Sequence, residues 1–357
     1  MSTTLRRLRR AAVLVAFALL AAAPADAAIH AQKGIKVQNV AHGLGHPSNI
    51  AFDPAGGIWT TSARYVFMPS DGVWYVKRRG ARPHHVVRGL GAALGLTWFR
   101  GKLFVAHVVP HSQSAGSYTG VVTAYSRFNG RRFKRKRTVV KGIPTGLHRM
   151  GSIVPGPGGR LYLGVGSAGD TSTGSRYGGT VVSFKPRGGS LRIEARGFRN
   201  PYGLAFAPDG ISLLVSDNGR DDLGQNRPPE ELNRFDVTGG VPNFGFPRCW
   251  GRGGGRCHGT RAPLAELAPH SAVAGVAVVK SFGRFGRSAF VAENGSRIGS
   301  PPTGSVVRRV PLGGRRSNDV GFAGGFRRHD PVGVAVGPGG ALYVTLNKSG
   351  RLIRFVP

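Results

Sequence analysis

Acidic residues are scarce in this sequence. Sixteen Asp and Glu stand against 50 Lys and Arg, which gives a formal net charge of +34 at pH 7. Residues 1–27 carry four Arg and one Asp, so the remainder keeps 34 − 3 = +31. Such a charge attracts polyanions by counterion release, and its densest run is RRFKRKR at 131–137. Either this run binds anionic cell-wall polymers, or it is a solvated basic surface.

Nucleic-acid motifs are absent as well. The aromatic residues lie inside the apolar runs and not among the basic residues, as a nucleic-acid surface would require. We therefore expect no nucleic-acid partner.

Long apolar runs are also missing, with one exception near the N-terminus. The run AAVLVAFALLAAA at 11–23 follows the basic LRRLRR and precedes the small-residue site ADA at 25–27. This pattern predicts a signal peptide over residues 1–27 and a secreted or periplasmic mature protein. A membrane helix needs roughly 20 apolar residues, so we expect no membrane span after signal removal, and a retained N-terminal anchor is the alternative.

Cysteine is nearly absent. Cys249 and Cys257 flank a glycine-rich spacer in CWGRGGGRC. An even count and an oxidising destination favour one local disulfide, with the two Cα atoms within roughly 7 Å. The alternative is a metal site, but two Cys with His258 make an incomplete zinc set.

Helical periodicity does not occur in the mature chain, whereas turn residues are abundant. The 57 Gly and 24 Pro lie between short apolar runs, which is typical of strands joined by turns. One unit, an apolar strand, a turn and a second strand rich in β-branched or aromatic residues, occurs six times, and a third run follows in most copies. The copies begin at Asn49, Gly95, Gly151, Gly203, Gly275 and Gly333. Six such units predict an all-β, six-bladed propeller over residues 28–357.

Two geometric expectations follow from a propeller. The last copy is one strand short, so the segment at 35–40 should close the ring by pairing near 351–356. The residue before each inner strand should lie at the mouth of the central channel. Counting back three positions from the first residue of each copy gives His46, Ala92, His148, Asn200, Ala272 and Asp330. Arg199 and His329 lie one position further out. These polar residues predict a binding site there, although solvent-facing rims also attract polar residues.

Several motifs resemble the glucose/sorbosone dehydrogenase family, many of whose members are exported six-bladed quinoprotein sugar dehydrogenases. They are GFRNPYGLAFAPDG at 197–210, DNGRDD at 217–222, PPEELN at 228–233, NFGFP at 243–247 and LHRMGSIVPGPGGRLYLGVGS at 147–167. The resemblance covers most of the mature chain. It implies oxidation of a sugar at its anomeric carbon to the lactone, with pyrroloquinoline quinone and calcium as cofactors.

The resemblance also implies roles for individual residues. His148 would be the general base, and Arg199 would stabilise negative charge on the quinone oxygen. Asn200 would hydrogen-bond the cofactor. The carbonyls of Gly219 and Arg220 would hold calcium, and Glu230 and Glu231 would hold a second calcium or form salt bridges.

Asp330 stands where the resemblance implies a basic residue. The cations left to hold the cofactor's carboxylates are therefore Arg297, Arg327 and Arg328. No Cys-x-x-Cys-His motif is present, so the electrons would leave to a separate acceptor. The alternative function is a non-catalytic or lactonase-like propeller that binds a carbohydrate or an anionic ligand in a basic funnel.

Overall fold

The computed structural model describes residues 28–64, 71–110, 118–189, 191–296, 298–299, 301–314 and 317–357. The predicted signal peptide at 1–27 lies outside them. Their regular structure is almost entirely β, with two short 3-10 helices at Pro157–Gly159 and Pro338–Gly340. No helix in these ranges is long and apolar enough to cross a membrane.

Six antiparallel sheets follow one another along the chain, which confirms the six-bladed propeller. Blade one is β3 (Pro47–Phe52), β4 (Ile58–Ser62), β5 (Gly72–Val76) and β6 (His84–Arg88). Blade two is β7 (Gly91–Phe99), β8 (Lys102–Pro110), β9 (Tyr118–Phe128) and β10 (Phe133–Thr145). Blade three is β11 (Met150–Gly156), β12 (Arg160–Val165), β13 (Thr180–Phe184) and β14 (Arg192–Arg196).

The other three blades carry the additions to the basic pattern. Blade four is β15 (Pro201–Phe206), β16 (Ser212–Asp217), β17 (Glu230–Asp236) and β20 (Ala265–Leu267), with the hairpin β18 (Cys249–Trp250) and β19 (Gly254–Gly255) inserted. Blade five is β21 (Val273–Val279), β22 (Ser288–Glu293), β23 (Val306–Pro311), β24 (Val320–Gly324) and β1 (His30–Ala31). Blade six is β25 (Pro331–Val336), β26 (Leu342–Leu346), β27 (Arg351–Val356) and β2 (Lys36–Ala41).

The repeated glycines let the innermost strands approach one another closely. A Cβ on Gly95 would lie 2.2 Å from the carbonyl oxygen of Gly151, and one on Gly151 would lie 2.4 Å from that of Tyr202. The same contact recurs where Gly333 backs onto Ser48, at 2.4 Å. Only glycine leaves room for this approach, so its spacing in the sequence reflects contacts between blades. The six inner strands line an axial cavity of about 270 Å³.

The ring closes as the sequence predicts. Strand β2 pairs antiparallel with β27, from Lys36 opposite Val356 to Ala41 opposite Leu352. The sequence did not predict β1, which adds a fifth strand to blade five through His30 opposite Gly324. The N-terminal segment therefore joins two consecutive blades.

The disulfide is confirmed. Cys249 and Cys257 are bonded, and their Cα atoms lie 4.9 Å apart. The bond ties together the β18–β19 hairpin that is inserted into blade four.

Candidate active site

The residues that precede the inner strands lie on one face of the ring, together with the loops that follow each second strand. We call this face the mouth. A repeated backbone hydrogen bond connects the two sets: Asn294 donates to the carbonyl of Ala272, and Asn347 donates to that of Asp330. Three of the preceding residues, His46, Ala92 and Ala272, have φ of 45°, 41° and 56°, which is uncommon for residues with a side chain. The chain therefore turns sharply into blades one, two and five at the mouth.

His148 presents a ring nitrogen that has no partner among the described residues. Its backbone N–H donates to Ser167 at 3.2 Å, and Gly166 packs against its Cβ, so its position is fixed. Its Nε2 is buried and makes no hydrogen bond to any of the described residues. Burial, and after it the charges of Arg199 and Arg149, lowers the pKa of His148 to about 3. The imidazole is therefore neutral at physiological pH.

Arg199 is held between two carboxylates. Its Nε donates to Asp170 at 2.6 Å and its Nη2 donates to Asp221 at 2.5 Å, while only 5% of the side chain is exposed. Its backbone N–H donates to Asp217 at 3.1 Å, and the next N–H, of Asn200, donates to the same carboxyl at 2.6 Å. The guanidinium is thus oriented, and much of its charge is offset.

Sequence reasoning missed three residues of this cluster: Asp170, Asp221 and His270. His270 is buried, with Nδ1 3.8 Å from Asp221 and Nε2 2.8 Å from the carbonyl oxygen of Gly224. The signal was available, because Asp170 and Asp221 lie in loops that directly follow second strands. Such loops open at the same face as the residues before the inner strands.

The predicted calcium residues lie together in blade four but make other contacts. Glu230 accepts the backbone N–H groups of Gly219 at 2.5 Å and Ala272 at 3.1 Å. Glu231 accepts from the side chain of Asn233 and the N–H of Gly251. Both glutamates therefore hold backbone and amide donors, which the sequence did not anticipate.

Within the described ranges no group of three His, Cys, Asp or Glu side chains is arranged to hold a metal. The implied calcium ligands at Gly219 and Arg220 are backbone carbonyls, so the absence of a side-chain cluster does not bear on them. The Arg220 side chain pairs with Asp222, with Nη2 to Oδ2 at 2.6 Å. Calcium binding stays a prediction.

The carboxyls beneath the mouth are strongly perturbed. Burial raises the pKa of Asp217 to about 8, helped by the nearby Glu231. Burial likewise raises the pKa of Glu230 to about 8, although its backbone hydrogen bonds oppose the shift. These groups take up protons at neutral pH more readily than ordinary carboxyls do.

The remaining predicted cofactor residues lie in blades five and six. Arg328 donates twice to the carbonyl of Ser296, at 3.1 and 2.6 Å. Arg327 is exposed, and Arg297 lies outside the described residues. Asp330 is 2% exposed, and its Oδ1 accepts the N–H of Ser349 at 2.8 Å. Its carboxylate is therefore engaged by the β26–β27 turn.

The fold places the chain in the class of six-bladed β-propellers. No family model matches the sequence. A protein of uncharacterized function from Borreliella burgdorferi is 26% identical over 217 residues, which span 55% of this chain and 56% of that protein. The chain thus matches only about half the length of this relative.

Several solved structures have folds similar to that of this chain. A Thermus thermophilus oxidoreductase described as a glucose dehydrogenase is 26% identical, with a TM-score of 0.68 over 90% of this chain and all of its own. The PQQ-bound aldose sugar dehydrogenase of Streptomyces coelicolor is 23% identical, with a TM-score of 0.70 over 92% of this chain and 98% of its own. The PQQ domain of pyranose dehydrogenase from Coprinopsis cinerea reaches a TM-score of 0.74 at 17% identity, over 92% of this chain and 97% of its own.

Proposed function

We propose that this chain is an exported aldose dehydrogenase that oxidises a sugar at its anomeric carbon to the lactone, with pyrroloquinoline quinone and calcium. The observation that carries the proposal is the buried Nε2 of His148 at the mouth, which has no hydrogen-bond partner in the part of the chain that the structure describes. Because the imidazole is neutral, its Nε2 lone pair is free to accept the proton of a sugar hydroxyl. The glucose and aldose sugar dehydrogenases among the structural neighbours support the substrate class.

The residues at the mouth fit both implied cofactors, the calcium ion in one respect and the anionic quinone in another. Among the described residues, no hydrogen bond ends on the carbonyl oxygens of Gly219 and Arg220, which leaves these oxygens for a hard cation. Asp330 is buried against the Ser349 turn, so it does not present a bare carboxylate to an anionic ligand. When bound, the quinone supplies an acceptor for the hydride that leaves the anomeric carbon.

The chain's own residues then have distinct tasks. His148 accepts the proton of the anomeric hydroxyl at Nε2. Arg199 is fixed by Asp170 and Asp221 so that its remaining donors can stabilise negative charge that develops on an oxygen in the mouth. Asn200 would bind the cofactor through its amide, and Arg297, Arg327 and Arg328 are the cations proposed to bind the cofactor's carboxylates. Electrons leave to a separate acceptor.

The first test is dye reduction by the purified protein with glucose and other aldoses, after addition of the quinone and calcium. Replacing His148 by Ala should lower turnover by about 10²–10⁴-fold, because general-base catalysis is lost. The same variant should bind the quinone nearly as well as the unmodified chain in a calorimetric titration. His84→Ala, on the exposed outer strand of blade one, is the matched control and should leave both measurements unchanged.

A second candidate is a propeller that binds a carbohydrate or an anion without oxidising it. It is favoured by one observation: the guanidiniums of Arg199 and Arg328 already have partners within the chain. Sugar binding without dye reduction, together with no calcium-dependent binding of the quinone, would support it. Because carboxylates surround Arg199, the ligand site of this second candidate is not simply a basic funnel.

A further inference from the structure

The net positive charge of this chain is concentrated in one part of the ring. No Asp or Glu occurs between Asp71 and Asp170, whereas seventeen Lys and Arg do. The centre of this stretch is β10, the outermost strand of blade two. Its cations and those of the turn before it are exposed, and they are Arg131, Arg132, Lys134, Arg135, Lys136, Arg137 and Lys141. We call this set the basic ridge.

The local structure holds the ridge in place. Asn129 Oδ1 accepts the backbone N–H groups of Arg131 at 3.1 Å and Arg132 at 2.9 Å, which fixes the β9–β10 turn. The Arg137 side chain donates to the carbonyl of Arg187 in blade three. Arg187 and its neighbour Lys185 are exposed, so they extend the positive surface onto the next blade.

Protection of a free sheet edge does not account for so much charge. An exposed edge strand commonly carries a charged residue or two that prevent pairing with other chains. The outer strand β6 has a single Arg, β14 combines two Arg with Glu194, and β2 has a single Lys. Strand β10 carries five Lys and Arg, four of them consecutive. None of these other outer strands carries as many cations, and none has a run of four without an acidic residue among them.

The shape of the ridge selects among polyanions. Alternate side chains of a strand repeat about every 6.8 Å, so cations on one face form a straight row that an extended polymer can follow. No large apolar side chain of β10 is exposed that could enter a lipid surface, and the aromatic Phe133 packs into the core beside Trp59. Strand β10 therefore offers neither an exposed aromatic ring for base stacking nor an exposed large apolar side chain for membrane insertion.

We infer that the basic ridge binds a linear phosphodiester polymer of the cell envelope. The ridge begins at the β9–β10 turn, on the face of the ring opposite the mouth, because β7 starts at the mouth and strand direction alternates through the blade. A polymer bound there leaves the mouth open to soluble sugars. Binding at the ridge does not depend on the dehydrogenase activity, so the two proposals fail separately.

The test titrates purified, fluorescently labelled poly(glycerol phosphate) with the full chain at several salt concentrations. Replacing Lys134, Arg135 and Lys136 together by Thr should weaken binding by about tenfold or more. It should also flatten the slope of log K against log salt by about two units, because three fewer phosphates are neutralised. The charge-matched control replaces Arg256, Arg261 and Lys280, which are exposed in blades four and five, and should change affinity by about twofold or less.

Other outcomes overturn the inference. Equal losses in the ridge and control variants would mean that net charge alone drives binding. Tighter binding of duplex DNA of equal phosphate number, or of phosphatidylglycerol vesicles, would assign the ridge to a different partner. If the triple variant does not fold, Arg135→Thr and Lys136→Thr are measured singly, and each should flatten the slope by about 0.7.

Discussion

At the scale of single residues, the arrangement around Arg199 defines the mouth. Three carboxyl groups contact its side chain or backbone, those of Asp170, Asp217 and Asp221. A guanidinium held by two fixed partners loses little freedom when it engages a third group. We therefore regard Asp170 and Asp221 as positioning residues for Arg199.

This view predicts a contrast between two neighbouring aspartates. Asp221→Asn should lower kcat by about 10- to 100-fold, because Arg199 loses a partner and its orientation relaxes. The affinity for the quinone should stay equal or become tighter, because one repelling charge is removed. Stopped-flow turnover and calorimetry measure the two quantities.

The control is Asp222→Asn, which removes the same charge one residue away. Asp222 pairs with Arg220, and it is exposed to a similar extent, 44% against 48% for Asp221. A general electrostatic effect would change both variants alike. Equal kcat values for the two variants would disprove the positioning role.

At the scale of the element, asparagines connect successive blades. Asn218 Nδ2 donates to the carbonyl of Val273, and Asn294 Nδ2 donates to that of Pro331. At the closing junction Asn347 Nδ2 lies within hydrogen-bond distance of three carbonyls, those of His46, Pro47 and Ala63, at 3.0, 3.2 and 3.4 Å. A side chain that follows the second strand of one blade thus donates to the start of the next blade.

Asn347→Ala should lower the free energy of unfolding by about 1–3 kcal/mol, because the carbonyls of Pro47 and Ala63 lose their side-chain donor where the two ends of the chain meet. Asn218→Ala, which removes the equivalent contact within the ring, should cost less. Urea unfolding of both variants provides the comparison. A larger loss of unfolding free energy for Asn218→Ala than for Asn347→Ala would show that Asn347 makes no special contribution to ring closure.

At the scale of the whole molecule, buried ionisable groups set the dependence of stability on pH. Burial raises the pKa of Asp217 and Glu230 to about 8 and that of Glu293 to about 7. A folded pKa above the unfolded value means that stability is lost as pH rises through the folded pKa. Burial lowers the pKa of His107 to about 4 and that of His148 to about 3, so these residues destabilise the fold as pH falls below 6.5. Between pH 6.5 and 8 these carboxyl groups, and not the histidines, set the pH dependence, so the free energy of unfolding should decrease as pH rises.

Glu293→Gln tests this expectation, because both of its carboxylate oxygens are buried without a hydrogen-bond partner among the described residues. The substitution should remove about 1 kcal/mol of the stability loss between pH 6.5 and 8. Glu266→Gln is the control, because Glu266 is 34% exposed and lies in the neighbouring blade four. Chemical unfolding at a series of pH values gives the slopes, and identical slopes for both variants would contradict the assignment.

The sequence by itself determined the local and periodic features. Six recurrences of strand, turn and strand fixed the number of blades, and the missing strand after Val356 identified 35–40 as its partner. Both follow from chain-local information, because turn residues and alternating apolar residues act over a few positions. The pairing of Cys249 with Cys257 belongs to the same class, since the two are only eight positions apart.

Only the tertiary structure decided which polar residues meet at the mouth. Asp170 and Arg199 are 29 positions apart and belong to different blades, so no periodicity links them. Glu230, implied as a calcium ligand by resemblance, accepts backbone N–H groups on either side of the junction between blades four and five. The repeated glycines were visible in the sequence, but their reason was not, because the backbone that approaches each one comes from the next blade. Packing between blades sets these contacts, and it depends on the closed ring as a whole.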